Sequence, residues 1–134
     1  MIIKLSRSQV DMLLKETKDK YPVEACGALF GLIKSDEVFV EKVVPLKNIL
    51  DSEVMFQVNP EEFLKVLMEH EGMGLQHIGF FHSHPGSPNP SPIDLKYMGL
   101  WPESIWIIVS CMDSMVAAYR VSDKKLEEVK IIVE

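Results

Sequence analysis

Cysteine is almost absent: Cys26 and Cys111 are the only two in 134 residues. That excludes a disulfide scaffold and a Cys-x-x-Cys metal knuckle. Both read as free buried thiols, and a Cys26–Cys111 bridge is the less favoured alternative. Amide side chains are also scarce, with three Asn and three Gln, a depletion found in thermophilic proteins. Basic charge is short as well. Fourteen Lys and Arg stand against 20 Asp and Glu, giving a net charge of −6 and a pI near 5.2. A phosphate-backbone binder needs the opposite balance, so nucleic acid is not expected as a partner. No run approaches the ~18 apolar residues of a membrane span. The start, MIIKLSRSQVDML, has neither the apolar core nor the cleavage site of a secretory signal. The expectation is a cytoplasmic protein without membrane contact. What remains is ordinary: 47% hydrophobic and 25% charged residues, enough for one compact domain over residues 1–134.

Local patterns divide the chain into alternating elements, with no repeats, linker or low-complexity tract. Residues 2–4 suit a short strand. Ser6 and Gln9 form a capping box that opens a helix, and Val10, Leu13, Leu14 and Thr17 continue it to about Tyr21-Pro22. ACGALFGLI and VFVEKVV, separated by Lys34-Ser35-Asp36, predict a β-hairpin. VMFQV is a possible short strand. Asn59 as N-cap and Pro60 as first residue begin a second helix, faced by Phe63, Val66, Leu67 and His70 and ended by Gly72 and Gly74. HIGFFHSH predicts a strand, and the proline-rich PGSPNPSP forbids regular pairing. Ser91 then starts a third helix running to about Met98, followed by strands at SIWIIVS, MVAAYRV and LEEVKIIV. The fold class expected is α+β, a mostly antiparallel or mixed sheet flanked by helices. Met55, Met68 and Met73 read as core, as does Trp106, whereas Trp101 beside Pro102 reads as a surface contact.

The chemistry-bearing residues flank the proline-rich loop. His82 and His84 are two apart on a strand, so both imidazoles lie on one side of a sheet and can reach one ion. Catalytic zinc takes three protein ligands of the His and carboxylate type and keeps a fourth position open. Asp94 can be the third. Four prolines and a glycine between His84 and Asp94 stiffen the excursion that brings a helix start back to the strand end. Taken alone, Ser91 and Asp94 could equally be a helix cap, Glu24 a solvated carboxylate, and His-x-His a pair of ordinary histidines. His70 and His77 lie outside the spacing and are not proposed as ligands.

Together these residues resemble the JAMM (MPN+) metallopeptidases, with an upstream Glu, H-[ST]-H-P, a short loop and S-x-x-D. Here the pattern is Glu24, His82-Ser83-His84-Pro85 and Ser91-Pro92-Ile93-Asp94, and the likeness extends over VEACGALFG, GFFHSHP and IWIIVS. The spacer from Pro85 to Pro90 is one residue shorter than the family's usual seven.

The resemblance implies the JAMM/MPN, cytidine deaminase-like, architecture in a compact archaeal or bacterial form. It also implies one Zn2+ per chain on His82, His84 and Asp94. Glu24 would activate the zinc-bound water that attacks the carbonyl, and Ser91 would stabilise the oxyanion. The implied activity is that of a zinc metallopeptidase, an isopeptidase or desampylase. It would remove a ubiquitin-like β-grasp modifier ending in Gly-Gly, a SAMP protein in archaea, from lysines of target proteins. A homodimer fits family habit. Two other readings compete: release of cysteine or another small adduct from a sulfur-carrier protein, and a non-catalytic, metal-stabilised interaction module. A RadC-like role in DNA repair fits poorly with the acidic charge.

Overall fold

A computed structural model describes residues 1–134. In chain order the elements are β1 (Ile2–Leu5), α1 (Arg7–Lys20), β2 (Cys26–Lys34), β3 (Glu37–Leu46) and α2 (Pro60–Gly72). They continue as β4 (Gln76–His84), α3 (Pro92–Leu100), β5 (Ile105–Ser110), β6 (Val116–Ser122) and β7 (Lys125–Val133). No helix is long and apolar enough to cross a membrane.

The strands form one mixed sheet that closes into a barrel in the order β1-β3-β2-β4-β5-β6-β7. β1 runs parallel to both β3 and β7, and β4 runs parallel to β5, while the remaining neighbours are antiparallel. The α+β class and mixed sheet agree with the sequence reading. Closure has no signature in the sequence, because it depends on β1 meeting β7 in the register Ile2↔Lys130, a pairing of distant segments that leaves no local pattern.

Alternation along β4 and β5 sorts side chains to two sides of the barrel wall. Phe81, Ile105, Ile107 and Val109 join Ile3, Leu13, Leu29 and Val129 in the main core, to which α1 contributes Val10 and Leu13. Phe80, Trp106 and Ile108 face outward, into a second cluster with Met98 of α3 and Tyr119 of β6. His82 and His84 share that outward face. Opposite Phe30, β4 carries an irregularity in which Ile78 has no partner on β2; the extra residue turns Ile78 into the main core. Gly79 lies where β4 and β5 approach so closely that a Cβ would collide with the Ile105 carbonyl.

Helix starts follow the sequence closely. Ser6 and Gln9 form the expected capping box, and Asn59 Oδ1 accepts from the amides of Glu61 and Glu62. Three expectations need correction. VMFQV is not a strand, because the Asn48 side chain takes over its backbone. Asn48 Nδ2 donates to the carbonyl of Met55 (3.1 Å), and Asn48 Oδ1 accepts from the amides of Gln57 (3.3 Å) and Leu50 (3.1 Å). Met68 and Met73 are 64% and 55% exposed, not core, since the inward stripe of α2 is half-buried Phe63, Val66 and Leu67 with buried His70. Cys111 is the third, since it is not the buried thiol expected. Both cysteines are free, with Cys26 buried and Cys111 only half-buried. Trp106 is buried, and Trp101 is 40% exposed.

Candidate metal centre

The outward end of β4 supplies two imidazoles. His82 is fully buried, paired in register with Cys26 of β2 and Ile108 of β5, so the barrel wall fixes it. Phe56 stacks on its ring at 4.9 Å. His84, at the strand end, directs Nδ1–H to the Ser87 carbonyl at 3.1 Å. With the proton on Nδ1, the Nε2 lone pair is free to bind.

Asp94 reaches the same point from α3. Ser91 Oγ accepts from the Asp94 amide (3.1 Å), and Asp94 Oδ2 accepts from the Ser91 amide (2.9 Å), a reciprocal capping box. That oxygen also lies 3.1 Å from His82 Nε2 and 3.0 Å from His84 Nε2. The cap and the convergence are therefore one carboxylate, and the sequence could not separate these roles because both hold.

Glu24 arrives on the connection between α1 and β2. Its amide donates to the Ser52 carbonyl (2.8 Å), and its carbonyl accepts from Asn48 Nδ2 (3.1 Å). Ser83, between the two histidines, points the other way and accepts the Ala25 amide through Oγ at 2.8 Å. Asn48 and Ser83 thus anchor the Glu24 backbone, and neither role was legible from residue type. The carboxylate points at the cluster, with Oε1 3.9 Å from His82 Nε2.

One ligand atom from each of Glu24, His82, His84 and Asp94 falls within 4.8 Å of all the others. Both Glu24 oxygens and both His82 nitrogens are buried without a hydrogen-bond partner. Buried polar atoms are otherwise satisfied in folded proteins. Two imidazoles and two carboxylates aimed at one point, with Glu24 and His82 orphaned, suit a divalent cation.

Electrostatics divide the two carboxylates. Burial pushes Glu24 up to about 8, a rise that the Asp94 charge reinforces and His84 opposes. Asp94 is buried too, but the His82 and His84 rings about it and the Ser91 amide hold it well below the usual carboxylate range. Burial lowers His82, keeping it neutral near pH 7. His84 is also pulled down by burial, yet Asp94 and the Ser87 carbonyl lift it above its ordinary value. His70 and His77 bond the carbonyls of Val66 and Gly79 and lie outside the cluster.

This arrangement has relatives. A desampylase from Pyrococcus furiosus is 44% identical over 113 residues, covering 84% of this chain and 77% of that one. The CysO-cysteine peptidase of Mycobacterium tuberculosis is 28% identical over 123 residues, or 89% of this chain and 82% of the relative. The solution structure of a protein from Desulfitobacterium hafniense superposes with a TM-score of 0.88 at 29% identity, over 100% of this chain and 93% of that one. The family described as prokaryotic homologs of the JAB domain matches residues 6–122. With its barrel, its Glu/His/His/Asp cluster and this match over most of its length, the chain belongs to the prokaryotic JAB-domain family.

Proposed function

We propose that the protein is a zinc-dependent isopeptidase that removes a small ubiquitin-like modifier, ending in Gly-Gly, from lysine side chains. The observation that carries this reading is the convergence of Glu24, His82, His84 and Asp94 within 4.8 Å, with the Glu24 oxygens and His82 nitrogens buried and without a hydrogen-bond partner. The desampylase relative supports the substrate class.

His82, His84 and Asp94 would hold the ion, because Asp94 Oδ2 touches both imidazoles while Glu24 stands further off at 3.9 Å. Bound there, zinc would supply Lewis acidity and acidify the attacking water towards a pKa of ~7. Glu24, whose buried carboxylate has no hydrogen-bond partner, would take a proton from that water and return it to the departing lysine amine, which leaves poorly unless protonated. Ser91 Oγ accepts from the Asp94 amide, so its own O–H stays free to donate to the oxyanion.

The modifier tail has a seat beside His82. Residues 56–58 are half edge strand: Gln57 bonds inward to Asn48 and Ile49, and the Phe56 and Val58 backbones are unpaired. An extended tail can add to that edge through main-chain hydrogen bonds. Next to it Phe56, Val58, Phe63, Phe80, Trp101 and Trp106 line a pocket of about 300 Å³, suited to an apolar side chain.

Incubation with a modifier–lysine conjugate, with and without chelator, tests the reading by mass analysis. Free modifier and intact target should appear only without chelator; no chelator-sensitive cleavage would leave a metal-stabilised binding module. Deleting the terminal Gly-Gly should abolish cleavage, and unchanged cleavage would refute tail recognition. The CysO-cysteine peptidase relative favours a second reading, release of a small adduct from a sulfur-carrier protein. Running a modifier–cysteine adduct beside the lysine conjugate separates the two.

A further inference from the structure

His84 is the most exposed ring of the cluster, with 14% of its side chain accessible, and it sits where β4 gives way to irregular chain. Three contacts run outward from it. His84 Nδ1–H donates to the Ser87 carbonyl (3.1 Å), the Asn89 amide donates to Ser87 Oγ (3.2 Å), and the Tyr119 hydroxyl donates to Asn89 Oδ1 (3.1 Å). The ends of the loop are tied independently. Cys111 and Met112 amides bond the carbonyls of His84 and Pro85, and Ser91 is fixed by its cap with Asp94. Between these ends, residues 86–90 make one hydrogen bond to a strand other than β4, and it is the one from Tyr119.

Tyr119 is well placed to act as a fixed point. Its ring is 9% exposed, packed with Phe80, Met98, Trp106 and Ile108 and opposite Trp106 in the β5–β6 register. Its hydroxyl therefore moves with the barrel, whereas Asn89 is exposed on a loop bracketed by Pro88 and Pro90. Prolines leave such a loop few alternative shapes, so one anchor at its middle selects among them. The Ser87 carbonyl is the atom being selected, because a ligating imidazole needs its other ring nitrogen held to present the correct lone pair.

We infer that Tyr119 and Asn89 are positioning residues, which hold the Ser87 carbonyl against His84 Nδ1 and so preorganise His84 Nε2 to bind the metal. This rests on the metal-centre reading above. Neither residue touches the reacting atoms. Removing such an outer partner costs 10–100-fold in metal affinity or activity in other metal sites, and we expect the lower end here because the bond is partly solvated.

The test uses the full zinc-loaded chain as wild type, Tyr119→Phe, Asn89→Ala and the double variant. Zinc affinity is measured by chelator competition, and kcat and KM on a modifier–lysine conjugate. Tyr119→Phe keeps the buried ring, and Asn89→Ala alters only an exposed loop, so both should fold. Each single variant should bind zinc roughly tenfold more weakly. The double should match the singles instead of multiplying them, because both remove one bond. Catalysis should change in kcat with KM within about twofold, a split that general loss of packing would not produce. If wild type takes up no zinc, the metal-centre reading fails and this inference with it. If wild type binds zinc and both single variants match it, or if the two effects multiply, the positioning inference alone is overturned.

Discussion

At the scale of single residues, the two carboxylates differ because their partners differ. Asp94 is paired with two imidazoles and an amide, while Glu24 is buried with nothing to accept from. Glu24→Gln should keep the metal and lose at least ~10²-fold in turnover, since it removes proton transfer and spares the ligands. His82→Ala should lose both metal and turnover. Zinc content measured beside kcat distinguishes the two outcomes. Ser91→Ala should lower kcat by ~10²–10³ as an oxyanion donor is lost and destabilise the protein by ~1 kcal/mol as a cap is lost. A denaturant titration reads the second effect independently of the first. That Glu24, His82, His84 and Asp94 would come together was legible from His-x-His, Ser-x-x-Asp and an upstream Glu. The parts played by Asn48, Phe56 and Ser83 were not, because a polar hub, a ring stacked on an imidazole and an inward hydroxyl are defined by which neighbours the fold delivers.

At the scale of elements, signals written within a few positions hold up well. Capping boxes, a proline at a helix start and two-residue alternation are of this kind, and α1, α2, α3 and β4 begin where they stand. VMFQV misleads because composition describes what a segment could pair with, not whether a neighbour is present. Met68 and Met73 mislead for a related reason: α2 buries a narrow stripe, and apolar residues outside it stay in solvent. The parallel contact of β4 with β5 carries the two imidazoles, and Gly79 makes that contact possible. Gly79→Ala should therefore cost about 1–3 kcal/mol, the usual penalty of overfilling a packed site. Thermal unfolding of the metal-free chain would measure it, and loss of zinc affinity in the same variant would link strand spacing to the centre.

At the scale of the whole molecule, proton binding and fold are coupled, and a metal in the cluster would join them. Glu24 has a folded pKa of about 8 against an ordinary 4.5, so the unfolded chain releases its proton first as pH rises. Its contribution is fully present below about pH 4.5 and is lost progressively up to about 8. Every tenfold difference in proton affinity between the folded and unfolded chain is worth about 1.4 kcal/mol. The metal-free Glu24→Gln variant should consequently gain on wild type across that interval, as read by denaturant midpoints at several pH values; parallel curves would contradict the burial argument. Zinc at about 100 times its dissociation constant should restore ~2.7 kcal/mol to the wild type by mass action. Barrel closure lies beyond the reach of sequence patterns, since it is a property of the circuit and not of any strand.

That circuit also bears on how the protein avoids sticking to itself. A sheet with free margins invites other chains to lie alongside, the usual route to fibres and clumps. Here every strand has neighbours on both sides, although short β1 covers β3 only from Glu37 to Phe39; beside the metal cluster, the unpaired backbone is the stretch around Phe56 and Val58. It is too brief to seed stacking between copies, yet long enough to greet the tip of a tail. If the tail adds there as proposed, the molecule would offer adhesive backbone to its substrate over a few residues only, leaving little for its own copies.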